Sequence, residues 1–272
     1  MKHPILLAAL LSLLVTTACN SSDNDAPEWG TYPESATYAT TRIVENLEDE
    51  DQDEYYFEMG SGIKLFLTDN AMSSDYDFVE GERVVIYYTV LEDYSDQDSA
   101  DKKQGSLYDC DYGMRLFNLF TVKTSQSIVI SNDDENEAVA NHSISYIYGG
   151  NYLSIGYGYI NMVAALKAED HDDSKLYLAK NLADMPDDDD IKEEYLYLDL
   201  RYDRGTAEST GTTLEQYVSL SLEDFEEELA GKEGVMLRLR TLNSGTFYVE
   251  LTFSEDERRL VTSASRSAGS ML

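Results

Sequence analysis

Arg83-Val-Val-Ile-Tyr-Tyr-Thr-Val-Leu91 is the stretch that decides the fold of the first half of the chain. Successive side chains of an extended strand point to opposite faces. Here both faces are apolar, one through Val84, Ile86, Tyr88 and Val90 and the other through Val85, Tyr87 and Leu91. A strand that is apolar on both faces is covered on two sides, so the pattern predicts a central strand of a packed sheet.

Four other stretches of the first half have strand character, and polar segments separate them. They are Tyr38–Val44, Tyr55–Phe57, Ile63–Leu67 and Met114–Val122. In the third stretch Ile63, Leu65 and Leu67 share one face by period-two alternation. Five short strands with long polar loops between them predict a small closed barrel over residues 38–125.

The second half, residues 126–256, shows a cleaner alternation. One face is apolar and the other more polar in Leu196–Tyr202, Val235–Arg240 and Phe247–Phe253. A sheet with one buried face and one wet face is typical of antiparallel pairing. The second half is therefore predicted to form an antiparallel β-sandwich.

One short helix is predicted to interrupt the sandwich. Ser221 can cap its N-terminus, and Gly231 can end it. Between them Leu222, Phe225 and Leu229 lie on one stripe. Beyond the sandwich, residues 257–272 are predicted to form a polar tail.

The N-terminus carries the lipobox pattern of an exported lipoprotein. Ile5–Val15 is an almost unbroken apolar run, too short to span a bilayer, and Thr16-Thr17-Ala18 leads directly into Cys19. The pattern predicts a signal peptide over residues 1–18 and acylation of Cys19, which would anchor the mature chain in a membrane. Residues 19–37 are predicted to form a flexible tether. The alternative is an ordinary cleaved signal followed by an incidental cysteine.

The chain is strongly acidic. It has 53 Asp and Glu residues against 20 Lys and Arg residues, which gives a formal net charge of −33. Binding to nucleic acid and docking on an anionic lipid surface both need clustered Lys and Arg, so both are disfavoured. The excess of acid is interpreted as a solvated surface. If Cys19 is acylated, Cys110 has no intramolecular disulfide partner.

The sequence contains no recognisable catalytic or metal-binding motif. The mature chain keeps two histidines, His142 and His171, and no serine lies in a Gly-x-Ser-x-Gly elbow. The acidic surroundings of His171 and the run Asp187–Asp190 are interpreted as solvated loops, because the run lacks the ligand spacing of a calcium loop. Gly156-Tyr-Gly158 lacks the third glycine and the lysine of phosphate-binding loops. We therefore predict that the protein is not an enzyme and binds no metal or cofactor.

Tyrosine is abundant, with 21 residues, and supplies the remaining candidate site. Tyr148 and Tyr152 flank Gly149-Gly150-Asn151, which can form a tight hairpin turn. Exposed tyrosine rings can stack on sugars or anchor a protein partner, so Tyr148 and Tyr152 are the predicted ligand-binding residues. The alternative is that tyrosine is simply a favourable strand residue.

Taken together, these features resemble the NigD-like lipoproteins of Gram-negative anaerobes. The resemblance rests on Gly62–Asp69, Phe78–Val90, Tyr195–Tyr202, Tyr217–Leu222 and Val235–Phe253. It implies an all-β chain in which an N-terminal five-stranded OB-like barrel precedes the C-terminal β-sandwich, on an outer-membrane lipoprotein. It supplies no active-site residues.

The resemblance and the N-terminus together lead to a functional expectation. Asp23 and Asp25 follow Cys19 at about the place of the acidic surface-export signal of such lipoproteins. We expect a lipid-anchored protein of the outer membrane and the cell surface that acts without catalysis, as a binding or accessory protein for a glycan or a protein ligand. An OB-like barrel is a recurring platform for such extended ligands. The alternative, implied by the family name alone, is a bacteriocin-associated accessory or immunity role.

Overall fold

The computed structural model describes residues 37–44, 54–72, 76–94, 110–149, 152–167, 173–187, 191–207, 212–255 and 257. These ranges contain thirteen β-strands and two short α-helices, which confirms the all-β prediction. The predicted signal peptide, Cys19, the tether before Thr37 and the tail after Glu257 lie outside them. No helix within these ranges is long and apolar enough to cross a membrane.

The first five strands close into a ring. They are β1 (Thr37–Val44), β2 (Glu54–Met59), β3 (Lys64–Asn70), β4 (Arg83–Asp93) and β5 (Tyr112–Ile130). β1 pairs with β2 and β4, β2 pairs with β3, and β5 pairs with β3 and β4, so the pairing returns to its start. The interior is filled by Phe57, Leu65, Val84, Ile86, Met114 and Leu116. The five strands predicted for the first half are therefore all present and enclose one core.

Strand β5 joins the ring to the rest of the molecule. Residues Tyr112–Thr121 pair within the ring, Val122–Thr124 pair with β11, and Ser125–Ile130 pair with β9. The strand thus continues through the predicted domain boundary at residues 125 and 126. Most residues after Val122 are polar, so the apolar pattern in the sequence ends there. The strand continues because pairing satisfies the backbone N–H and C=O groups, which are the same for every side chain.

The remaining strands form the two layers of the sandwich. They are β6 (Tyr146–Ile147), β7 (Leu153–Gly156), β8 (Tyr159–Lys167), β9 (Lys175–Asn181), β10 (Tyr195–Asp203), β11 (Thr213–Ser221), β12 (Gly234–Thr241) and β13 (Gly245–Thr252). One sheet has the order β5-β11-β8, with β6 and β7 on the far side of β8; the other has the order β5-β9-β10-β12-β13. Apolar side chains of both sheets form a single core, which includes Ile160, Met162, Leu198, Val218 and Leu237.

The sandwich contains parallel as well as antiparallel strand pairs, whereas a purely antiparallel sandwich was predicted. The pairs β5–β9, β5–β11 and β10–β12 are parallel, and the other pairs are antiparallel. Alternation of apolar and polar residues reports which face of a strand is buried, and the face does not depend on the direction of the neighbouring strand.

Two short helices occur where one was predicted. The predicted helix is a 3-10 turn, Glu223–Phe225, followed by one turn of α-helix, α2 (Glu226–Leu229), with Phe225 and Leu229 buried. Helix α1 (Asp133–Ala138) lies in a segment predicted to be an acidic loop. It has no buried residue and hence no apolar stripe in the sequence. Asn132 caps α1, and acidic residues fill its first turn, which favours a helix start.

Candidate functional site

The candidate site is the outer face of the sheet β5-β11-β8. Strand alternation turns Val218 and Leu220 of β11 into the sandwich core, while Glu215, Tyr217 and Ser219 point the other way. On β8 the outward residues opposite these three are Ala165, Val163 and Asn161. The outer face is therefore one apolar and aromatic surface crossed by polar groups.

The five-stranded ring covers one end of this face. The Tyr38 hydroxyl donates to the Met162 carbonyl at 3.1 Å, and the Arg83 guanidinium lies 4.2 Å from the centre of the Tyr159 ring. Burial of Arg83 lowers the pKa of its guanidinium below the usual value. Ser219 is fully buried at this end. The ring thus covers this end of the face, and the opposite end, where Glu215 is exposed, is its open end.

Three tyrosines stand together at the open end. Ring centroids of Tyr146 and Tyr148 are 4.9 Å apart, and those of Tyr148 and Tyr152 are 5.9 Å apart, each pair in an edge-to-face arrangement. Tyr146 is 49% exposed and Tyr152 is 57% exposed. The Tyr148 hydroxyl donates to the Glu215 carboxylate, and this hydrogen bond raises the pKa of Tyr148. We call Tyr146, Tyr148, Tyr152, Glu215 and Tyr217 the tyrosine face.

A groove of about 590 Å³ adjoins the tyrosine face. Its lining includes Phe120, Val122, Val163, Leu214, Glu215 and Tyr217. The rings of Phe120 and Tyr217 are 5.6 Å apart, and the Tyr217 hydroxyl lies 3.2 Å from that of Tyr87 on the five-stranded ring. Burial, followed by the hydrogen bond with Tyr87, raises the pKa of Tyr217 to about 12. The volume falls within the range of small-ligand clefts.

The structure brings the two sequence-predicted residues together and adds others to them. Tyr148 and Tyr152 are neighbours, as described above, although no observation tests their role. Sequence reasoning missed Tyr146, which shares a face with Tyr148 by simple alternation and could have been found. It also missed Glu215 and Tyr217, for which the local sequence holds no signal, because they join the site through the pairing of β11 with β8.

The other titratable candidates of the sequence do not assemble into a reactive site among the described residues. The imidazole Nδ1 of His142 accepts from the Arg204 backbone N–H at 3.3 Å and lies 3.9 Å from Asp203. No group of three or more His, Cys, Asp or Glu residues that could hold a metal occurs in the described ranges. Asp187 is exposed, while His171 and residues 188–190 lie outside these ranges. Cys110 is buried, at 4% exposure.

One buried charged cluster on the other sheet has a structural role. Asp199 is 6% exposed and accepts from Arg238 Nε at 2.7 Å and Nη2 at 2.5 Å, from Arg201 Nη2 at 3.2 Å and from the Asn181 amide at 3.0 Å. Burial lowers the pKa of Arg238, but the hydrogen bond and charge of Asp199 outweigh it, and the net shift is upward. Both carboxylate oxygens of Asp199 are thus occupied by the protein itself.

The chain is similar in fold to several solved structures. No curated protein matches the chain. A protein of unknown function (DUF1344) from Bacteroides vulgatus is 21% identical with a TM-score of 0.58, covering 84% of this chain and 94% of that chain. A NigD-like immunity protein from Bacteroides caccae is 13% identical (TM-score 0.51; 79% of this chain and 91% of that chain). A candidate lipoprotein from Bacteroides fragilis is 11% identical (TM-score 0.52; 82% and 99%).

These solved structures share the fold, since each aligns over about four fifths of the chain. The family model described as the NigD-like C-terminal beta sandwich domain matches residues 120–253. The match begins within β5 and ends just after β13, so it contains the whole sandwich described above. The chain therefore carries a NigD-like C-terminal β-sandwich domain.

Proposed function

We propose that the protein is a non-enzymatic binding protein, anchored to the outer membrane by acyl chains on Cys19, that contacts its ligand through the tyrosine face. The observation that carries the proposal is a cluster of three adjoining tyrosines, of which Tyr146 and Tyr152 are exposed, beside a 590 Å³ groove. Tyrosine combines a large apolar ring with a hydroxyl and is enriched at binding hot spots. Exposed aromatic clusters of this kind mark interaction sites.

The chemistry of the tyrosine face restricts the ligand. The rings offer apolar contact and stacking, and the Glu215 carboxylate accepts hydrogen bonds from hydroxyl, amide or ammonium groups. With a net charge of −33 on the chain, anionic ligands are repelled. The ligand classes that fit are a glycan without acidic groups and a polypeptide, in agreement with the expectation from the sequence.

The proposed location at the membrane rests on the N-terminal sequence. Cys19 follows the apolar run after Thr16-Thr17-Ala18, and 17 residues separate it from β1. Fully extended, such a segment spans about 60 Å, enough to hold the folded part clear of the lipid headgroups. With Asp23 and Asp25 behind the anchor, we place the protein on the outer leaflet, facing the medium. A solved structure of similar fold that is named as a candidate lipoprotein supports the anchor.

The test is loss of binding when the tyrosine rings are removed. The lipidated protein, purified in detergent, is screened on an array of glycans and on a display library of short peptides. The double substitution Tyr148→Ala and Tyr152→Ala is expected to weaken the best ligand about tenfold or more, because each ring is a hot-spot anchor. Val129→Ala, at a residue 55% exposed on the segment of β5 that pairs with β9 in the other sheet, is the control and leaves binding unchanged. Equal affinity of the double variant and the control would refute the proposal.

A bacteriocin-associated accessory or immunity role is the second candidate. It is favoured by the family and by the NigD-like immunity protein among the solved structures of similar fold. Deletion of the gene should then make the producing cells sensitive to their own toxin, and re-expression should restore protection. Unchanged sensitivity of the deletion strain would remove this candidate and leave the first one standing.

A further inference from the structure

The Tyr148 side chain extends across strand β8. Ala165 of β8 pairs with Tyr146 on one edge and with Glu215 of β11 on the other. Tyr148 lies on the Tyr146 side, since its backbone N–H donates to the Val163 carbonyl of β8. Its hydroxyl donates to Glu215 on the opposite side. The ring therefore spans β8, and Ala165 between the two edges is only 7% exposed. We call the Tyr148 ring the floor of the tyrosine face.

Tyr146 and Tyr152 are two walls beside this floor. The Tyr146 ring makes an angle of 87° with the Tyr148 ring, and the Tyr152 ring makes an angle of 68° with it. The ring centroids of the walls are 4.9 and 5.9 Å from that of the floor. Perpendicular rings with centroids about 6 Å apart can each lie about 4.5 Å from one cation, within the range of a cation–π interaction. The three rings are thus arranged so that one cation can contact several of them.

The Glu215 carboxylate places a negative charge beside these rings. It accepts from the uncharged Tyr148 hydroxyl, and no Lys or Arg of the described ranges pairs with it. Lys167 of β8 is in register two residues before Glu215 rather than beside it. Lys123 lines the groove, but it pairs with Val218, which points to the core side of β11. The charge of Glu215 is therefore available to a ligand.

We infer that the tyrosine face binds an alkylated ammonium group, of the kind carried by choline and by trimethyl-lysine. The methyl groups contact the rings, and the charge is attracted both to the ring faces and to Glu215. Donation from the Tyr148 hydroxyl to a carboxylate raises the electron density of the floor ring, which favours a cation on its face. The net charge of −33 attracts cations to the chain as a whole. This inference rests on the proposed function and names the chemical group that the tyrosine face recognises.

The test compares a cation with a neutral molecule of the same shape. Choline and 3,3-dimethyl-1-butanol differ in one atom, nitrogen against carbon, and hence in charge. Binding to the full lipidated protein is measured by calorimetry and by saturation-transfer NMR in a polyoxyethylene detergent, which carries neither a sugar nor an ammonium group. Choline should bind at least about tenfold more tightly, because the rings and Glu215 attract the charge while the methyl contacts are the same. Competition by phosphatidylcholine vesicles or by a trimethyl-lysine peptide then identifies the carrier of the group.

Variants separate the local site from the charge of the whole chain. Glu215→Gln keeps the side-chain shape, so it should weaken choline by about fivefold or more and leave 3,3-dimethyl-1-butanol unchanged. Glu227→Gln, at an exposed residue of α2, changes the net charge equally and should leave both affinities unchanged. Tyr152→Phe keeps the ring and should retain choline binding, whereas Tyr152→Leu should weaken it by about fivefold. Thermal unfolding of each variant checks that the sandwich is intact.

The outcomes distinguish this inference from the proposed function. Absence of choline binding, equal binding of the neutral molecule, or equal effects of Glu215→Gln and Glu227→Gln would each overturn the alkylammonium site. If a glycan or a peptide binds through Tyr148 and Tyr152 and choline does not compete with it, the inference is overturned while the proposed function stands. If no ligand depends on these tyrosines, both ideas fail.

Discussion

Removal of the buried Asp199 carboxylate should show how much the charged cluster of the second sheet contributes to stability. The Asp199→Asn substitution keeps the side-chain volume but removes the charge that two guanidinium groups share. Arg201 is 3% exposed and, among the residues that the structure describes, keeps only the Asn136 side chain as an acceptor, while Arg238 keeps Asp184, whose side chain is 59% exposed. Breaking a buried ion pair by removal of one partner costs about 3–5 kcal/mol. Since Arg238 retains an acceptor, we expect a loss of about 3 kcal/mol in the free energy of unfolding.

The assay is urea unfolding of the variant beside a matched control. Asp69→Asn breaks the pair of Asp69 with Arg115, which has the same chemistry at 2.7 Å but side chains that are 44% and 43% exposed. An exposed pair contributes about 0–1 kcal/mol. At a denaturant slope of about 3 kcal/mol per molar, the midpoint should fall by about 1 M for Asp199→Asn and by at most a third of that for the control.

Two results would refute this reasoning. The first is a loss of less than about 1 kcal/mol for Asp199→Asn, equal to that of the control, which would mean that water or rearrangement compensates the buried cations. The second concerns replacement of Asp199, Arg201 and Arg238 together by Leu, Met and Leu. Because no unpaired charge remains, the triple variant should lose less stability than Asp199→Asn alone. A larger loss would show that shape rather than charge governs the cluster.

Three further predictions concern the site, the core and the anchor. The pKa of Tyr217 is raised to about 12 from an ordinary value near 10. Its contribution to stability is therefore complete below pH 10 and is lost as the pH rises to 12. Tyr217→Phe should flatten this part of a plot of the free energy of unfolding against pH. Leu237→Ala, at a fully buried core residue, should lower the free energy of unfolding by about 2–5 kcal/mol, whereas Leu242→Ala at an exposed one should change it by less than about 0.5 kcal/mol. Cys19→Ser should release the protein from the membrane fraction, and a variant that stays membrane-bound in carbonate washes would contradict the acylation of Cys19.

Local patterning in the sequence identified the core-facing residues of several strands, but it missed β9, and the face of β10 predicted to be wet, with Asp199 and Arg201, is buried. Leu196, Leu198 and Leu200 alternate with polar or aromatic residues, and all three lie in the sandwich core. The stretch Arg83–Leu91 is apolar on both faces and is part of β4, where Val84 and Val85 are both fully buried. Burial of apolar surface depends on the side chains of the strand itself, so the local sequence predicts which face is buried.

Strand direction and continuity depended on the tertiary structure. The parallel pairs of β5 with β9 and β11 bring together segments about 50 and 95 residues apart, and no local pattern distinguishes them from antiparallel pairs. Strand β5 continues through Thr124–Ser127 because neighbouring strands satisfy its backbone, although its side chains are polar there. Helix α1 was not recognised in the sequence for a related reason, since a helix with no buried residue needs no apolar stripe.

The candidate site also combines residues that the local sequence identified with residues that only the tertiary structure brought together. Composition and strand patterns alone indicated an acidic, all-β chain with an excess of tyrosine, and a short motif predicts acylation of Cys19, because none of these signals needs a distant partner. It also singled out Tyr148 and Tyr152, which flank one turn. Only the tertiary structure joined them to Glu215 and Tyr217, more than 60 residues away. Sheet register decides which distant side chains share a face, and register is set by the packing of the whole core.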